Sequence, residues 1–266
     1  MTTTYAAGKM LAEVSEGVGL ITFNQPEKRN AMSVAMWQGL SEILDAFGAD
    51  EAIRAVVMTG AGTKAFVSGA DISQFEQTRA DGNAQLEYDR LTSAGRAKLA
   101  VFPKPVIACI RGFCLGGGLG IAMQADLRIA GDSAQFGIPA ARLGIAYSFE
   151  MVERLISLVG QAHARMIIMT GDRMDAMEAQ RVGLVNRVVP DEELTDTVLE
   201  LAKTISANAP LSLRATKLTV NAVMAAESQR NRAAVDAAIL ACFDSADYRE
   251  GRTAFMEKRP AKWQGR

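Results

Sequence analysis

Residues 104–123 read KPVIACIRGFCLGGGLGIAM. Pro105 opens a short β-rich apolar run, Val106 to Ile110, and three consecutive glycines, Gly116 to Gly118, separate it from a second apolar run beginning at Leu119. This spacing predicts a buried strand, a bend at the glycines and the start of a buried helix over Leu119 to Gln124. No acid, base or nucleophile stands among the glycines. One reading is a tight strand-to-helix turn, where glycine tolerates positive φ and close packing. The functional reading is that the first N–H groups of the helix are left unpaired at the positive end of its dipole. Such a place holds a developing oxyanion if a second N–H converges on the same oxygen. The candidate second donor is KAFVSGADI, residues 64–72, which also turns through a glycine after a strand. A phosphate-binding loop is disfavoured because no Gly-Lys-Ser/Thr follows. The dinucleotide fingerprint fits poorly, since Met123 stands at its third glycine position and no acid-ended second strand follows.

Working outward, Met10 to Val14 and Val18 to Phe23 flank the turn SEG and predict a hairpin. Ser33 is placed to cap a helix that carries Trp37, Leu40, Leu44 and Phe47 at helical spacing. Arg54 to Thr59 reads as a buried strand, and a polar segment followed by a helix runs to about Leu99, stopped by Pro103 and Pro105. Leu127 to Ala130 is one more strand. Strand and helix alternate to about residue 190, which predicts an α/β fold with largely parallel pairing. From Glu192 the pattern is helical only, so the chain divides into an α/β core, 1–195, and a C-terminal helical region, 196–266.

At 266 residues with 49% hydrophobic content, the chain is long enough to bury a substantial core. A net charge of -1 gives no sign of a nucleic-acid or membrane partner. The opening MTTTYAAGKM lacks the basic-then-apolar pattern of a signal peptide. Cys109, Cys114 and Cys242 are odd in number and scattered, as expected of reduced thiols in a cytoplasmic protein. His163 is the only histidine, which leaves little for a histidine metal site or a Ser/His/Asp triad, and no metal is expected.

The segments ITFNQPEKRNAMS (21–33), KAFVSGADI, KPVIACIRGFCLGGGLGIAM, DLRIAGDSAQFGIP (126–139), MTGDRMDAMEAQRVGLVNRVVP (169–190) and GRTAFMEKR (251–259) occur in an order and spacing that resembles the enoyl-CoA hydratase/isomerase, or crotonase, superfamily along essentially the whole chain. The resemblance implies a crotonase-like core of stacked ββα units with a C-terminal helical trimerisation region, and homotrimers that often pair into hexamers. It implies acyl-CoA thioester substrates, with coenzyme A as part of the substrate rather than a separate cofactor. The oxyanion donors would fall on Ala70 and Gly117. The CoA moiety would run past Lys28 and Arg29, with its adenine near Ala70, Asp71 and Ile72, and Phe255 and Lys258 would reach CoA from a neighbouring region or subunit. Lys28, Arg29 and Lys258 also read as ordinary solvated charges, and Asp71 as a helix-start cap.

The sequence departs from the family at its acid–base groups. The two glutamates of the hydratases map onto Gly120 and Ala140, and a third acidic position maps onto Ser148. General acid–base groups typically contribute about 10²–10⁴-fold, so ordinary hydration is expected to be feeble. The segment LGIAYSFEMVER, 143–154, supplies Tyr147 and Glu150 as the remaining candidates. Tyr147 matches a tyrosine of the methylmalonyl-CoA decarboxylase branch, and it also reads as a half-buried aromatic with its hydroxyl bonded. Glu150 points away from Ser148 if the segment is helical and can swing in if it is a loop. The readings carried forward are an enoyl-CoA hydratase/isomerase-family enzyme, an acyl-CoA decarboxylase or hydrolase using Tyr147 or Glu150, and a non-catalytic acyl-CoA-binding or assembly subunit.

Overall fold

The hairpin forms where alternation places it. Strands β2 (Met10–Ser15) and β3 (Val18–Phe23) pair antiparallel from Met10 opposite Phe23 to Ser15 opposite Val18. The two turn residues, Glu16 and Gly17, have φ of 49° and 80°. Positive φ at both central positions is the turn geometry whose twist matches the flanking strands. A short strand β1 (Thr3–Tyr5) adds antiparallel to β2. The computed structural model describes residues 2–71 and 82–266.

From β3 onward the pairing in this sheet is parallel. β4 (Ala55–Gly60), β6 (Val106–Ile110), β8 (Leu127–Gly131) and β11 (Arg187–Val189) extend it in the order β1-β2-β3-β4-β6-β8-β11. Both faces are apolar because both are covered. Val56, Met58, Ala108 and Ile110 enter the main core with helix α1 (Val34–Ala49). Val57, Ile107, Cys109 and Ile129 meet Leu194, Val198 and Ala202 of helix α6 (Leu194–Ser206) on the other face. Helix α1 begins as expected: the Ser33 hydroxyl accepts from Met36 N at 3.3 Å, and Trp37, Leu40, Leu44 and Phe47 are buried. A cap of this kind is worth about 1 kcal/mol.

One element differs from the expectation and decides where the site lies. The glycines do not follow β6 directly; the chain turns at Gly112, with φ 60°, and lays down strand β7 (Phe113–Leu115) first. β7 joins a second, four-stranded sheet ordered β10-β9-β7-β5, with β5 (Ala65–Val67), β9 (Gln135–Gly137) and β10 (Arg173–Asp175). Phe23 of the first sheet and Phe66 of the second meet edge to face at 5.3 Å between ring centroids. Strands β5, β7 and β9 are mutually parallel, so their C-terminal ends share one edge.

The remaining described helices are α2 (Gly82–Ala100), α3 (Gly117–Gln124), α4 (Phe149–Thr170), α5 (Ala176–Arg181), α7 (Pro210–Met224), α8 (Arg232–Asp244) and α9 (Ala246–Glu257). Among the described residues, no helix is long and apolar enough to cross a membrane.

Candidate active site

Each of the three parallel strands β5, β7 and β9 delivers a loop to the same edge: Gly69–Ala70, Gly116–Gly117 and Ile138–Ala140 respectively. These loops form one wall of a cavity of ≈ 1180 Å³. Helices α2 and α4, the segment just before α4 and the end of α7 supply the others, through residues such as Arg96, Met151, Tyr147 and Asn221.

The backbone of the first two loops is set up by hydrogen bonding elsewhere. Met32 N donates to Gly69 O at 2.8 Å, and Asp71 N donates to Met32 O at 2.9 Å. This is an isolated parallel bridge between Met32 and Ala70. In such a bridge the flanking groups of one strand make the bonds, so the N–H of Ala70 itself points to the opposite side. Ser68 N also donates to Arg29 O at 3.1 Å, and Asn30, fully buried, donates through Nδ2 to Ala61 O and Ala65 O. The 25–32 segment thus holds the first loop from behind.

The second loop is shaped by two glycines. Gly116 adopts φ 51° and ψ −117°, open to glycine and strained for other residues. Gly118 sits against β5: a first side-chain carbon there would collide with Val67 O and lie 2.7 Å from Val67 C and 2.8 Å from Val67 Cβ. Gly117, between them, is the first residue of α3, where helical N–H groups have no partner within the helix. A first side-chain carbon on Gly117 would stand 3.9 Å from Ala70 N with nothing nearer. Ala70 and Gly117 are therefore brought together backbone to backbone.

The far end of α3 is anchored by buried cations. Arg128 donates to Ala125 O at 2.6 Å and Leu184 O at 2.8 Å, and Arg154 donates to Met123 O at 2.7 Å. Burial lowers the Arg128 guanidinium to about 10 and lowers Arg154 as well. Both stay protonated at neutral pH and suit the negative end of the helix dipole.

Tyr147 is part of the cavity wall, and its hydroxyl donates to Gly116 O at 2.9 Å. Burial, with the neighbouring Cys114 as a lesser cause, pushes the phenol up from its ordinary value. It remains a donor at neutral pH and braces the glycine loop. Glu150 lies in the first turn of α4, exposed, on the cavity wall. The segment from Phe149 is helical, with Ser148 as its N-cap.

The space at Gly120 is filled. A first side-chain carbon there would collide with Met151 Cε and come within 3.5 Å of Tyr147 Oη. Ala140 is buried in the 3-10 turn Pro139–Leu143 and also lines the cavity. Met151, Arg96 and Arg154 are cavity residues that sequence reasoning missed. Met151 had a readable signal, one helical turn after Tyr147, whereas Arg96 had none beyond its place on a polar helix.

The other expected residues divide. Lys28 Nζ and Asp71 Oδ2 form an ion pair at 2.9 Å beside Ala70, with Asp71 only 6% exposed. Arg29, at φ 53°, places its guanidinium 5.1 Å from the centre of the Phe113 ring. Ile72 lies outside the described residues. Phe255, 83% exposed, and Lys258, at the left-handed end of α9, are away from the cavity wall. His163 packs within α4, its ring Nδ1 3.2 Å from Val159 O. Cys114 is buried, and burial raises its thiol far from reactivity.

Comparison with known proteins places the chain in a family. The family model described as enoyl-CoA hydratase/isomerase matches residues 13–266. The chain is 37% identical over 251 residues to the short-chain-enoyl-CoA hydratase of Clostridium acetobutylicum, covering 94% of this chain and 95% of that one. It is 36% identical over 254 residues to the crotonyl-CoA hydratase of Syntrophomonas wolfei, covering 96% and 97%. A crystal structure of an enoyl-CoA hydratase/carnithine racemase from Magnetospirillum magneticum superposes with a TM-score of 0.92 at 32% identity, covering 100% of this chain and 97% of that one. The fold is accordingly crotonase-like, with a helical C-terminal region. With the model, the relatives and the backbone agreeing nearly end to end, this chain belongs to the enoyl-CoA hydratase/isomerase superfamily and is an enzyme of it.

Proposed function

We propose that the protein acts on an acyl-CoA thioester, holding the thioester oxygen between the N–H groups of Ala70 and Gly117 as it becomes enolate-like. The observation that carries this reading is the approach of Ala70 N to Gly117, with neither N–H spent on the bonds that hold its own loop. Two such donors in a cavity wall stabilise charge as it develops, each worth about 3 kcal/mol in the transition state. The CoA portion lies toward Lys28, Arg29 and Asp71, and the acyl portion runs into the cavity beside Tyr147 and Met151.

A specific observation favours a reaction other than plain hydration. Gly120, Ala140 and Ser148 carry no carboxylate, and the space at Gly120 is occupied by Met151 and Tyr147. No glutamate pair holds a water there. Decarboxylation or thioester hydrolysis, with Tyr147 or Glu150 assisting, makes fewer demands at these positions. In decarboxylation the broken C–C bond leaves its electron pair on the thioester as an enolate, which the two N–H groups stabilise while carbon dioxide departs.

We further propose self-association into homotrimers or homohexamers through the C-terminal helices, which expose Leu240, Phe243, Phe255 and Met256.

The test is incubation with a panel of CoA thioesters followed by mass spectrometry. Gain of water, loss of carbon dioxide and release of free CoA separate the reactions. Turnover of at least one thioester by wild type, and none by a folded Gly117→Pro variant, which lacks the N–H, is the expected result. A panel left unchanged, with no thermal protection at millimolar acyl-CoA, overturns the reading.

A further inference from the structure

We propose that the acyl group this enzyme takes ends in a carboxylate, and that the Arg96 guanidinium receives it. The inference rests on the acyl-CoA reading above and names its substrate class.

The charges of the cavity wall are sorted by burial. Among the described residues, its carboxylates, Asp89, Glu150 and Glu153, are exposed, whereas its two half-buried charges are the guanidinium groups of Arg96 and Arg154. Arg90, the third cation, is exposed and tied to Glu87 at 2.7 Å. Arg154 is engaged by Met123 O at the foot of α3. Arg154 spends its Nε–H there, and among the described residues of the wall Arg96 is the cation best placed for a ligand.

Its geometry suits that role. The Arg96 guanidinium carbon lies 5.4 Å from the centre of the Trp37 ring, and Trp37 is only 3% exposed. A guanidinium seated on an aromatic face keeps its edge N–H groups for in-plane acceptors, the fork that matches a carboxylate. Asp89 stands 3.7 Å away with its side chain 52% exposed, while the Arg96 side chain is 30% exposed. That pair is longer than a charge-assisted hydrogen bond and lies at the wet end of the group. A half-buried cation with so loose a partner gains from a second, desolvated one.

The placement along the cavity follows from Tyr147, which lines the same wall and bonds to Gly116 O. Arg96 is close enough to Tyr147 to oppose, electrostatically, the upward push of burial on its phenol. Arg96, Tyr147 and Met151 line the cavity together, whereas Lys28 and Arg29 do not, which puts the guanidinium on the acyl side rather than along the CoA portion. The absence of carboxylates at Gly120, Ala140 and Ser148 removes the repulsion that an anionic acyl group would otherwise meet there.

The experiment compares dissociation constants of the full-length protein for charged and neutral thioesters of matched shape: malonyl-CoA against isovaleryl-CoA, and succinyl-CoA against isocaproyl-CoA. In each pair the terminal carboxylate is replaced by an isopropyl group. At least one acid is expected to bind about tenfold or more tightly than its isostere, as a charge-assisted pair provides. Arg96→Gln should bring that ratio to about one with the isostere's affinity unchanged, Arg96→Lys should restore part of it, and Arg90→Gln should leave it alone. Equal binding of acid and isostere by wild type in both pairs overturns the inference while leaving the acyl-CoA reading intact. A ratio undiminished in both Arg96 variants overturns the assignment to Arg96. Failure of all four thioesters to bind overturns the acyl-CoA reading, and this inference with it.

Discussion

Gly120 shows how one missing side chain changes what its neighbours do. Where the resemblance leads one to expect a glutamate, the Met151 methyl has moved in, with the Tyr147 hydroxyl 3.5 Å from where Cβ would be. Restoring Glu at 120 must displace the flexible end of Met151, which is feasible, and buries a carboxyl whose pKa desolvation would raise. Wild type is therefore expected to hydrate crotonyl-CoA feebly. Gly120→Glu with Ala140→Glu should raise that rate, and adding Met151→Ala should raise it further by making room. Stopped assays across a range of pH check this, comparing the double variant with each single one. Wild-type hydration at an ordinary enzymatic rate would show that another group moves the proton, with Glu150 the first to mutate.

At the scale of the element, the start of α3 and the end of β5 form one device. Gly118 and Gly117 are adjacent but separable in their demands. Alanine at 118 would collide with the Val67 carbonyl oxygen and crowd Val67 C and Cβ at 2.7–2.8 Å, so the helix must move off the strand; overpacking of this sort costs about 1–3 kcal/mol or more. Alanine at 117 meets nothing nearer than 3.9 Å and falls in the gap beside Ala70 N. Gly118→Ala should lower the melting temperature clearly, whereas Gly117→Ala should melt close to wild type and yet lose turnover. Calorimetry and steady-state kinetics on the two variants check the contrast. Equal destabilisation by both would mean that the loops meet differently.

For the whole molecule, the prediction concerns assembly. Apolar residues left in solvent cluster on the C-terminal helices: Val220, Val223 and Met224 on α7, Ile239, Leu240 and Phe243 on α8, Phe255 and Met256 on α9. Scattered exposed apolar residues are ordinary, but a run over three successive helices is what supports the proposed association. Light scattering at micromolar concentration should report three or six copies, and Phe243→Asp should shift the mass downward. A clean wild-type monomer would contradict the proposal. The C-terminal helices are not merely an appendage to the core, since α6 already covers the outer face of the large sheet through Leu194, Val198 and Ala202.

Local chemistry and periodicity in the sequence sufficed for the elements that are long or strongly signalled. The β2–β3 hairpin, the Ser33-capped α1, the buried β4 and β6, the glycine break and the C-terminal helices all stand within a few residues of where their patterns place them. Each is specified by neighbours in the chain: alternation, a capping hydroxyl, a proline stop. The paired GAD and GGG segments were legible as a possible pair for the same reason. The second sheet was not. Strands of three residues, such as β5, β7, β9 and β10, are too short to show a period, and they exist only because partners distant in sequence hydrogen-bond to them. Yet it is their parallel register that brings Ala70 to Gly117. The contents of the cavity were likewise decided in three dimensions. That Met151 fills the void at Gly120, and that Arg96 rests on Trp37 in the cavity wall, depends on which helices pack across the sheet edge, a non-local contact that no window of sequence encodes.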